Sequence, residues 1–452
     1  MMTDVFGQEC SLTTTQGLED WNAVLLGFLA HAAVTPTHLM AVLEAEPEFA
    51  LGHAIKGLFY ALLGRRELVE VSQQALDRAQ TVAEGATPRE RLFIAALADW
   101  MAGRPTASVR HLETVLRSHP ADALAMKLSQ AIRFVMGDAA GMRRSVERVL
   151  PAYDPDHAGR GYLLGCHSFA LEETGDYAKA EIAGRQALWM APDDAWGLHA
   201  VAHVYDMTCD SKAGLDWLSG REAAWAHCNN FRYHVWWHKA LMHLDLGQID
   251  AVMDLYDREV RADKTDDYRD ISNGTSLLMR LELEGIDVGD RWEELAEFSA
   301  KRTQDGCLIF ADLHYMLALN GADRAEDRSA LIARIQRDAQ MQQDEAAARM
   351  ADPGQAAARG LEAFGEARFS EAFANLSIAR GTMQLAGGSH AQRDVFERLT
   401  IDAGLRAGQL DHAEAILNER KALRGGRDDG YAAARRALIA SGRDAAHRVP
   451  AQ

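Results

Sequence analysis

Apolar positions along the chain recur at the three-to-four-residue spacing of amphipathic helices, and alternating apolar and polar runs are nearly absent. Five of the helical stretches each end at a glycine, the residue that most readily adopts the left-handed conformation of a helix C-terminus. These stretches are 51–63 before Gly64, 91–102 before Gly103, 124–136 before Gly137, 162–174 before Gly175 and 234–246 before Gly247. Because a second helical stretch follows each glycine, the pattern predicts a series of helical hairpins.

The spacing of the hairpins is typical of tetratricopeptide repeats. Gly103 and Gly137 lie 34 residues apart, which is the period of that repeat. The clearest unit, residues 161–194, has the glycine, aromatic, small and proline positions of the motif at Gly175, Tyr177, Ala180, Ala187 and Pro192. The sequence therefore predicts an all-α fold, a tetratricopeptide-like right-handed superhelix of helical hairpins, with roughly ten hairpins at about 40 residues each.

A polar stretch divides the predicted solenoid. Residues 336–354 are rich in Ala, Gln, Glu and Arg and end in Asp352-Pro353-Gly354, so we expect a polar helix or a linker there. Residues 1–335 are predicted to form the helical solenoid with the histidine-rich concave site. Residues 355–452 are predicted to form C-terminal hairpins that are able to close over the groove.

The composition of the chain disfavours some classes of binding partner and indicates a cellular location. The 452 residues are 48% hydrophobic, so a hydrophobic core can form. The formal net charge of -18 disfavours sequence-independent binding to nucleic acid and binding to anionic membranes. No apolar segment approaches the about 20 residues of a membrane span, and no signal peptide is visible. The five cysteines are scattered without a C-x-x-C motif, which predicts a reducing, cytoplasmic location. A homodimer is compatible with the sequence.

Candidate chemistry concentrates between Trp196 and Trp237. Two pairs of histidines lie within this region, His199 with His203 and His234 with His238, each pair four residues apart. On a helix this spacing places both imidazoles of a pair on one face, one turn apart. Two such helices joined by a short connection would bring four imidazoles together.

The repeat pattern directs these side chains into the groove. With Ala195 as the first residue of a repeat, His199, His203 and Asp206 occupy positions 5, 9 and 12, which face the concave side in a tetratricopeptide unit. Tyr162 and Glu172 take groove positions in the preceding unit, and His234 and His238 lie on or near that side in the following one. We therefore predict a site in which His199, His203, Asp206, His234 and His238 carry the chemistry.

Three interpretations of the histidines remain open. In the first, His199, His203, His234 and His238, with Asp206 or Glu172, bind a first-row divalent metal ion. In the second, no metal is present, and one imidazole acts as a general base that Asp206 or Glu172 orients. In the third, the imidazoles only form hydrogen bonds within the core.

Further residues are predicted around this centre, each with a structural alternative. Arg280 is a candidate for binding a carboxylate or phosphate, or for an internal salt bridge with Asp270 or Glu282. Asp312 and His314 are candidate ligand contacts, or Asp312 stabilises a helix N-terminus. His390 and Arg393 follow Ser389 and Gln392, which have the spacing of a capping box. The remaining candidate contacts are Tyr162, Glu172, Trp196 and Trp237, with His167 as a possible outer member.

The chain resembles the tetratricopeptide repeat protein 38 family. The motifs that carry the resemblance are Asp193-Asp-Ala-Trp196-Gly-Leu-His199-Ala-Val-Ala-His203, His234-Val-Trp-Trp237-His238-Lys-Ala-Leu, Ser276-Leu-Leu-Met-Arg-Leu-Glu, Asp312-Leu-His314 and Gly388-Ser-His-Ala-Gln-Arg-Asp-Val-Phe396. The resemblance implies a degenerate tetratricopeptide-like solenoid in one cytosolic chain, and it implies no particular reaction. Lys239 departs from the family pattern, in which Trp usually follows His238.

These observations lead to two functional hypotheses. The first is a concave pocket, lined by His, Asp and Glu, for a small polar ligand or a metal ion. If that pocket is catalytic, imidazole as base or metal ligand favours hydrolytic or proton-transfer chemistry. The alternative is a non-catalytic scaffold that binds a peptide or protein partner in its groove.

Overall fold

The computed structural model describes residues 1–341 and 344–447, with side chains up to Asp444, and the described chain is mostly α-helical. The helices of the first half are α1 Thr15–Leu29, α2 Thr35–Ala45, α3 Ala50–Leu62, α4 Arg66–Thr81, α5 Pro88–Met101, α6 Pro105–Ser118, α7 Ala123–Met136, α8 Ala139–Val149, α9 Arg160–Glu172, α10 Tyr177–Met190, α11 Ala195–Met207, α12 Ser211–Leu218 and α13 Ala223–Ala226.

The helices of the second half are α14 Phe231–Asp245, α15 Ile249–Leu255, α16 Tyr268–Leu283, α17 Arg291–Lys301, α18 Ile309–Gly321, α19 Ala325–Asp338, α20 Glu345–Arg349, α21 Gln355–Gly365, α22 Phe369–Arg380, α23 His390–Arg406, α24 Leu410–Leu423 and α25 Gly430–His447. Single turns of 3₁₀ helix occupy Ala83–Gly85, Leu150–Ala152 and Met383–Ala386, and π-helical turns occupy Tyr256–Val260 and Met350–Gly354. Among the described residues no helix is long and apolar enough to cross a membrane.

Two short strands that the hydrophobic pattern did not predict begin the chain. Strands β1 (Met2–Thr3) and β2 (Glu9–Cys10) pair antiparallel, with Met2 opposite Cys10. All other regular structure of the described residues is helical, and consecutive helices pack as hairpins, as in α3 with α4, α9 with α10 and α21 with α22. The predicted all-α, tetratricopeptide-like fold is therefore confirmed.

Glycine ends the predicted helices as expected. Gly64, Gly103, Gly137, Gly175 and Gly247 all have positive φ, between 61° and 82°, the conformation in which a Cβ is costly. Small residues also permit close helix packing. A Cβ added at Gly161 of α9 would lie 2.6 Å from the Cβ of Ala191, just after α10, so the two helices need glycine at this contact.

The chain divides into two compact units. The first consists of Met1–Val201, Gly220–Arg232 and Met341–Ala348, and the second of Ala202–Ser219, Tyr233–Gln340 and Arg349–Gln452. Each unit has its own apolar core: Trp21, Phe49 and Phe93 are buried in the first, and Trp237, Tyr315 and Phe396 in the second.

The predicted division at 336–354 stays a prediction. This segment contains the end of α19, then α20 and the π-helical turn Met350–Gly354. Residues 342 and 343 within it, and residues 448–452 of the predicted C-terminal part, lie outside the described residues.

Candidate functional site

Three of the predicted histidines meet in the second unit. His203 lies on α11, and His234 and His238 lie one turn apart on α14. The ring centroids of His203 and His238 are 4.3 Å apart, and those of His234 and His238 are 4.8 Å apart. Each ring can offer one nitrogen so that these atoms all lie within 4.8 Å of one another. We call His203, His234 and His238 the histidine cluster.

Burial keeps two imidazoles of the cluster, those of His203 and His234, neutral. His203 and His238 have no exposed surface. Desolvation, together with electrostatic interactions with His234, His390 and Arg393, lowers the pKa of His203 well below its ordinary value. Desolvation also lowers the pKa of His234 to about 4. A neutral imidazole retains the lone pair that a metal ion requires.

Asn273 of α16 orients one ring of the cluster. His234 Nδ1 and Asn273 Oδ1 are 2.8 Å apart, and Asn273 is 2% exposed. With the amide oxygen as acceptor, Nδ1 carries the proton, so the lone pair of His234 lies on Nε2. Sequence analysis did not single out Asn273 as a site residue.

Trp237 supports the cluster from the side of α16. Its ring stacks on His234 with centroids 5.1 Å apart and an interplanar angle of 16°. Its Nε1 donates a hydrogen bond to Ser276 Oγ at 3.1 Å. Trp237 is fully buried, so its indole serves as a wall beside His234 within the second unit.

Arg280 of α16 shares the hydroxyl of Ser276 with Trp237. Its Nη1 donates to Ser276 O at 3.0 Å and to Ser276 Oγ at 2.9 Å, and its Nη2 donates to Ala391 O at 2.7 Å. The structural alternative, a salt bridge with Asp270 or Glu282, is not found among the described residues, and Asp394 Oδ2 lies 4.0 Å from Nη2 instead. Asp270 accepts a hydrogen bond from Thr265, and Glu282 accepts one from Trp292 at 2.7 Å. The polar residues of α16 therefore have different hydrogen-bond partners from those expected.

Asp206 and the start of α23 lie near the cluster in the same unit. Asp206, on α11 with His203, is held by Arg424, whose Nη1 donates to the backbone oxygen of Asp206 at 2.9 Å and lies 3.3 Å from Oδ1. Its predicted role in orienting a histidine stays a prediction. His390 and Arg393 lie at the beginning of α23, and electrostatic interactions with them lower the pKa of His203.

The capping box that was predicted for α23 is present. Ser389 Oγ accepts from Gln392 N at 3.3 Å, and Gln392 Oε1 accepts from Ser389 N at 3.0 Å. Arg393 donates to the backbone oxygens of Gly387 and Gly388. These bonds fix the N-terminus of α23, from which His390 and Arg393 extend.

Asp312 and His314 have structural partners in the second unit. Asp312 lies in the first turn of α18 and forms a buried ion pair with Arg334. Burial raises the pKa of Asp312 to about 6 although Arg334 opposes the shift. His314 Nδ1 donates to Phe310 O at 2.8 Å, and its ring lies 5.1 Å from that of Phe396. As ligand contacts, both residues stay predictions.

The remaining candidates belong to the first unit. Tyr162 donates to Asp193 Oδ1 at 2.8 Å, and Glu172 is fully buried. His199 is 1% exposed, and its ring lies 5.1 Å from the rings of Trp196 and Phe231. The remaining outer candidate, His167, lies 3.5 Å from Glu147. That these residues share a site with His203 stays a prediction.

The chain has distant likenesses among solved structures. No family model matches the sequence. The chain is similar to the crystal structure of yeast Tom70, at 13% identity over 95% of this chain and 88% of that chain, with a TM-score of 0.36. It is also similar to the human IFIT1 dimer with PPP-AAAA, at 13% identity over 96% of both chains, with a TM-score of 0.42. A third likeness, to Naa15/Naa10 bound to HypK-THB, has 11% identity, covers 95% of this chain and 65% of that chain, and has a TM-score of 0.26.

Proposed function

We propose that the second unit binds a first-row divalent metal ion through the histidine cluster, and that a small polar ligand reaches the metal at its remaining coordination position. The observation that carries the proposal is the approach of three ring nitrogens, from two helices, to within 4.8 Å of one another. The hydrogen bond from His234 to Asn273 adds support, because metal-binding histidines usually donate their second N–H to an oxygen.

The spacing of the nitrogens suits a metal after a small adjustment. Imidazole nitrogens bind zinc at about 2.0–2.1 Å, so two ligands of a tetrahedral ion lie about 3.4 Å apart. The nitrogens of the cluster lie within 4.8 Å of one another, at most about 1.4 Å farther apart than in a tetrahedral site, and small side-chain rotations would bring them to this spacing. Three protein ligands leave a fourth position open, which is the arrangement of catalytic rather than structural zinc sites. Such an ion supplies an activated water, and we therefore propose hydrolytic chemistry for the site.

The metal-free alternative is a general base in the same cluster. A base works best when its pKa lies near the working pH. His234, with a pKa of about 4, lies far from neutral pH, and burial shifts His203 in the same direction. Both shifts suit a metal ligand, which must be neutral, better than they suit a base.

Metal analysis of untagged protein tests the proposal. After exposure to zinc and dialysis, we expect one bound ion per wild-type chain and loss of that ion in His203→Ala and in His238→Ala. His412→Ala, on the exposed face of α24, is the matched control and is expected to keep the ion. Helical circular dichroism confirms that each variant is folded. Equal metal content in all four proteins would overturn the proposal.

The finer aspects of the function are part of the same proposal. We infer a small-molecule ligand, a cytoplasmic location and no nucleic-acid partner, on the basis of the net charge of -18 and the scattered cysteines. The resemblance to the tetratricopeptide repeat protein 38 family supports a single helical-repeat chain. A scaffold that binds a peptide would instead be favoured if the wild-type chain captured a peptide and the histidine variants captured it equally well.

A further inference from the structure

A cavity of about 320 Å³ lies inside the second unit, beside α14 and α16. Its apolar wall includes Leu241, Leu244, Ile249 and Ile286, and its charged wall includes Arg280 and several carboxylates. This volume is at the lower end of the range for small-molecule sites, which is about 300–1,000 Å³. The combination of an apolar wall with a few fixed polar groups is typical of such sites.

The carboxylates at one end of the cavity are already engaged by arginines. Arg420 Nε lies 2.8 Å from Asp394 Oδ1, and its Nη1 lies 2.9 Å from Asp429 Oδ1. Arg398 Nε donates to Asp394 Oδ2 at 2.7 Å. These contacts hold the pKa values of Asp394 and Asp429 below their usual range although burial opposes the shift.

Two more carboxylates of the wall also have cationic partners. Asp206 is held by Arg424, and Glu284 Oε2 accepts from Arg435 Nη1 at 2.9 Å. The fifth carboxylate of the wall, Asp245, accepts instead from Ser211 Oγ and from the backbone N–H of Gly430. Four of the five acidic groups are thus paired with arginines, which offsets most of their negative charge.

Arg280 differs from the other arginines around the cavity. It is 1% exposed, and its hydrogen bonds go to uncharged oxygens of Ser276 and Ala391. Its Nε has no hydrogen-bond partner among the described residues, and the carboxylate of Asp394 is 4.0 Å from its Nη2. Arg280 is therefore a buried guanidinium whose ion pair with Asp394 is long, at 4.0 Å, and which donates no hydrogen bond to a carboxylate of the described residues.

A buried, charged guanidinium destabilises the folded chain unless an anion compensates its charge. Burial, together with the nearby charge of Arg398, lowers the pKa of Arg280 to about 9, so that the side chain stays charged at neutral pH. An arginine presents a planar set of donors that matches a carboxylate or a phosphate, and removal from water strengthens the attraction. A ligand anion in the cavity would supply a closer partner.

We propose that this cavity binds a small ligand through its carboxylate or phosphate group, with Arg280 as the cation that recognises it and Leu241, Leu244, Ile249 and Ile286 in contact with its apolar part. The proposal does not rest on the metal, because none of these residues belongs to the histidine cluster. The two sites nevertheless share a wall: the Arg280 guanidinium lies 5.5 Å from the ring of Trp237, which stacks on His234.

Calorimetric titration of the full chain tests this proposal in the presence of EDTA, so that metal binding does not contribute. The probes are inorganic phosphate and succinate, at constant ionic strength. We expect saturable binding of at least one probe, an affinity at least tenfold lower in Arg280→Met, and a smaller loss in Arg280→Lys. Arg258→Met is the matched control, because that side chain is 75% exposed, and its affinity is expected to equal that of wild type.

The pattern of outcomes separates the possibilities. Binding of phosphate alone, or of succinate alone, identifies the anionic group. If Arg280→Met does not fold, Leu241→Trp decides, because the larger side chain fills the cavity and leaves Arg280 in place; its affinity is then expected to fall at least tenfold. Lack of saturable binding of both probes to the wild-type chain, or wild-type affinity in Arg280→Met or in Leu241→Trp, would overturn the proposal.

Discussion

Asn273 holds the proton of His234 on Nδ1 and leaves Nε2 for a metal ion. Replacing Asn273 by Leu removes the acceptor while roughly keeping the volume, so zinc affinity is expected to fall about 10–100-fold. Asn273→Asp restores an acceptor, and we expect it to recover most of the loss. Competition titration with a zinc-binding dye measures all three affinities.

A surface amide provides the control for this experiment. Asn375 is half-buried, and its amide donates an exposed hydrogen bond to Glu371 O at 3.0 Å, so Asn375→Leu is expected to keep the zinc affinity of wild type. If Asn273→Leu bound zinc as tightly as wild type, Asn273 would have no part in orienting a metal ligand.

Asp194 makes the first unit sensitive to pH. Burial raises the pKa of Asp194 from its ordinary value of 3.8 to about 7, although Lys127 opposes the shift. The folded chain therefore holds a proton that the unfolded chain releases between these values, and this contribution to stability is lost as pH rises towards 7 and beyond. In Asp194→Asn, we expect the urea midpoint to change less between pH 5 and pH 8.

The size of this effect follows from the shift. One pKa unit corresponds to about 1.4 kcal/mol, so the mutation should reduce the change in unfolding free energy between the two pH values by at least about 1 kcal/mol. Asp156→Asn is the control, because Asp156 is an exposed aspartate of the same unit. An unaltered pH dependence in Asp194→Asn would contradict this account of Asp194.

Spacing along one helix predicted which histidines share a face, but it did not predict which residues of the neighbouring helix contact them. His234 and His238 follow from a spacing of four residues. Asn273 lies 39 residues from His234 in the chain, and no local signal relates the two positions. The partner of Asp206, Arg424, is 218 residues away. Such pairs depend on helix packing, which periodicity does not encode.

Gly175 ends α9 in the left-handed conformation, with φ of 82°. A larger residue would fit at position 175, because a Cβ there would have no neighbour within 4 Å among the described residues. Gly175→Ala is therefore expected to destabilise the chain by about 1–2 kcal/mol through backbone strain alone. The urea unfolding midpoint, measured at constant slope, reports this change.

Gly85 is the matched control for Gly175. A Cβ at Gly85 also meets nothing within 4 Å, and its φ lies outside the left-handed region. Gly85→Ala is expected to leave stability unchanged or to raise it slightly, because alanine restricts the unfolded chain. Equal destabilisation by the two alanines would show that φ is not the cause.

Helix ends were predictable because their chemistry is local. A glycine after a periodic stretch gave the C-terminus of α9, and Ser389 with Gln392 gave the N-terminus of α23. The π-helical turn Tyr256–Val260 and the pairing of β1 with β2 were not predicted. A strand of two residues is too short for alternation to be seen, and a π turn keeps nearly the same apolar spacing as an α-helix.

The local pattern of the hairpins does not show how the chain divides into two units. Each unit contains segments that are distant in sequence, so that Gly220–Arg232 belongs to the first unit and Ala202–Ser219 to the second. Helical-repeat periodicity predicted the all-α class because every hairpin carries the same local pattern. It could not assign hairpins to units, because that assignment depends on contacts between distant segments.

X-ray absorption spectroscopy of the zinc-loaded chain tests the metal site most directly, because it reports the ligands of the ion itself. We predict a first shell of nitrogen and oxygen at about 2.0–2.1 Å, with the multiple scattering of three imidazoles, and loss of that signal in His203→Ala. A shell containing sulfur at about 2.3 Å, or a spectrum unchanged by His203→Ala, would contradict the account.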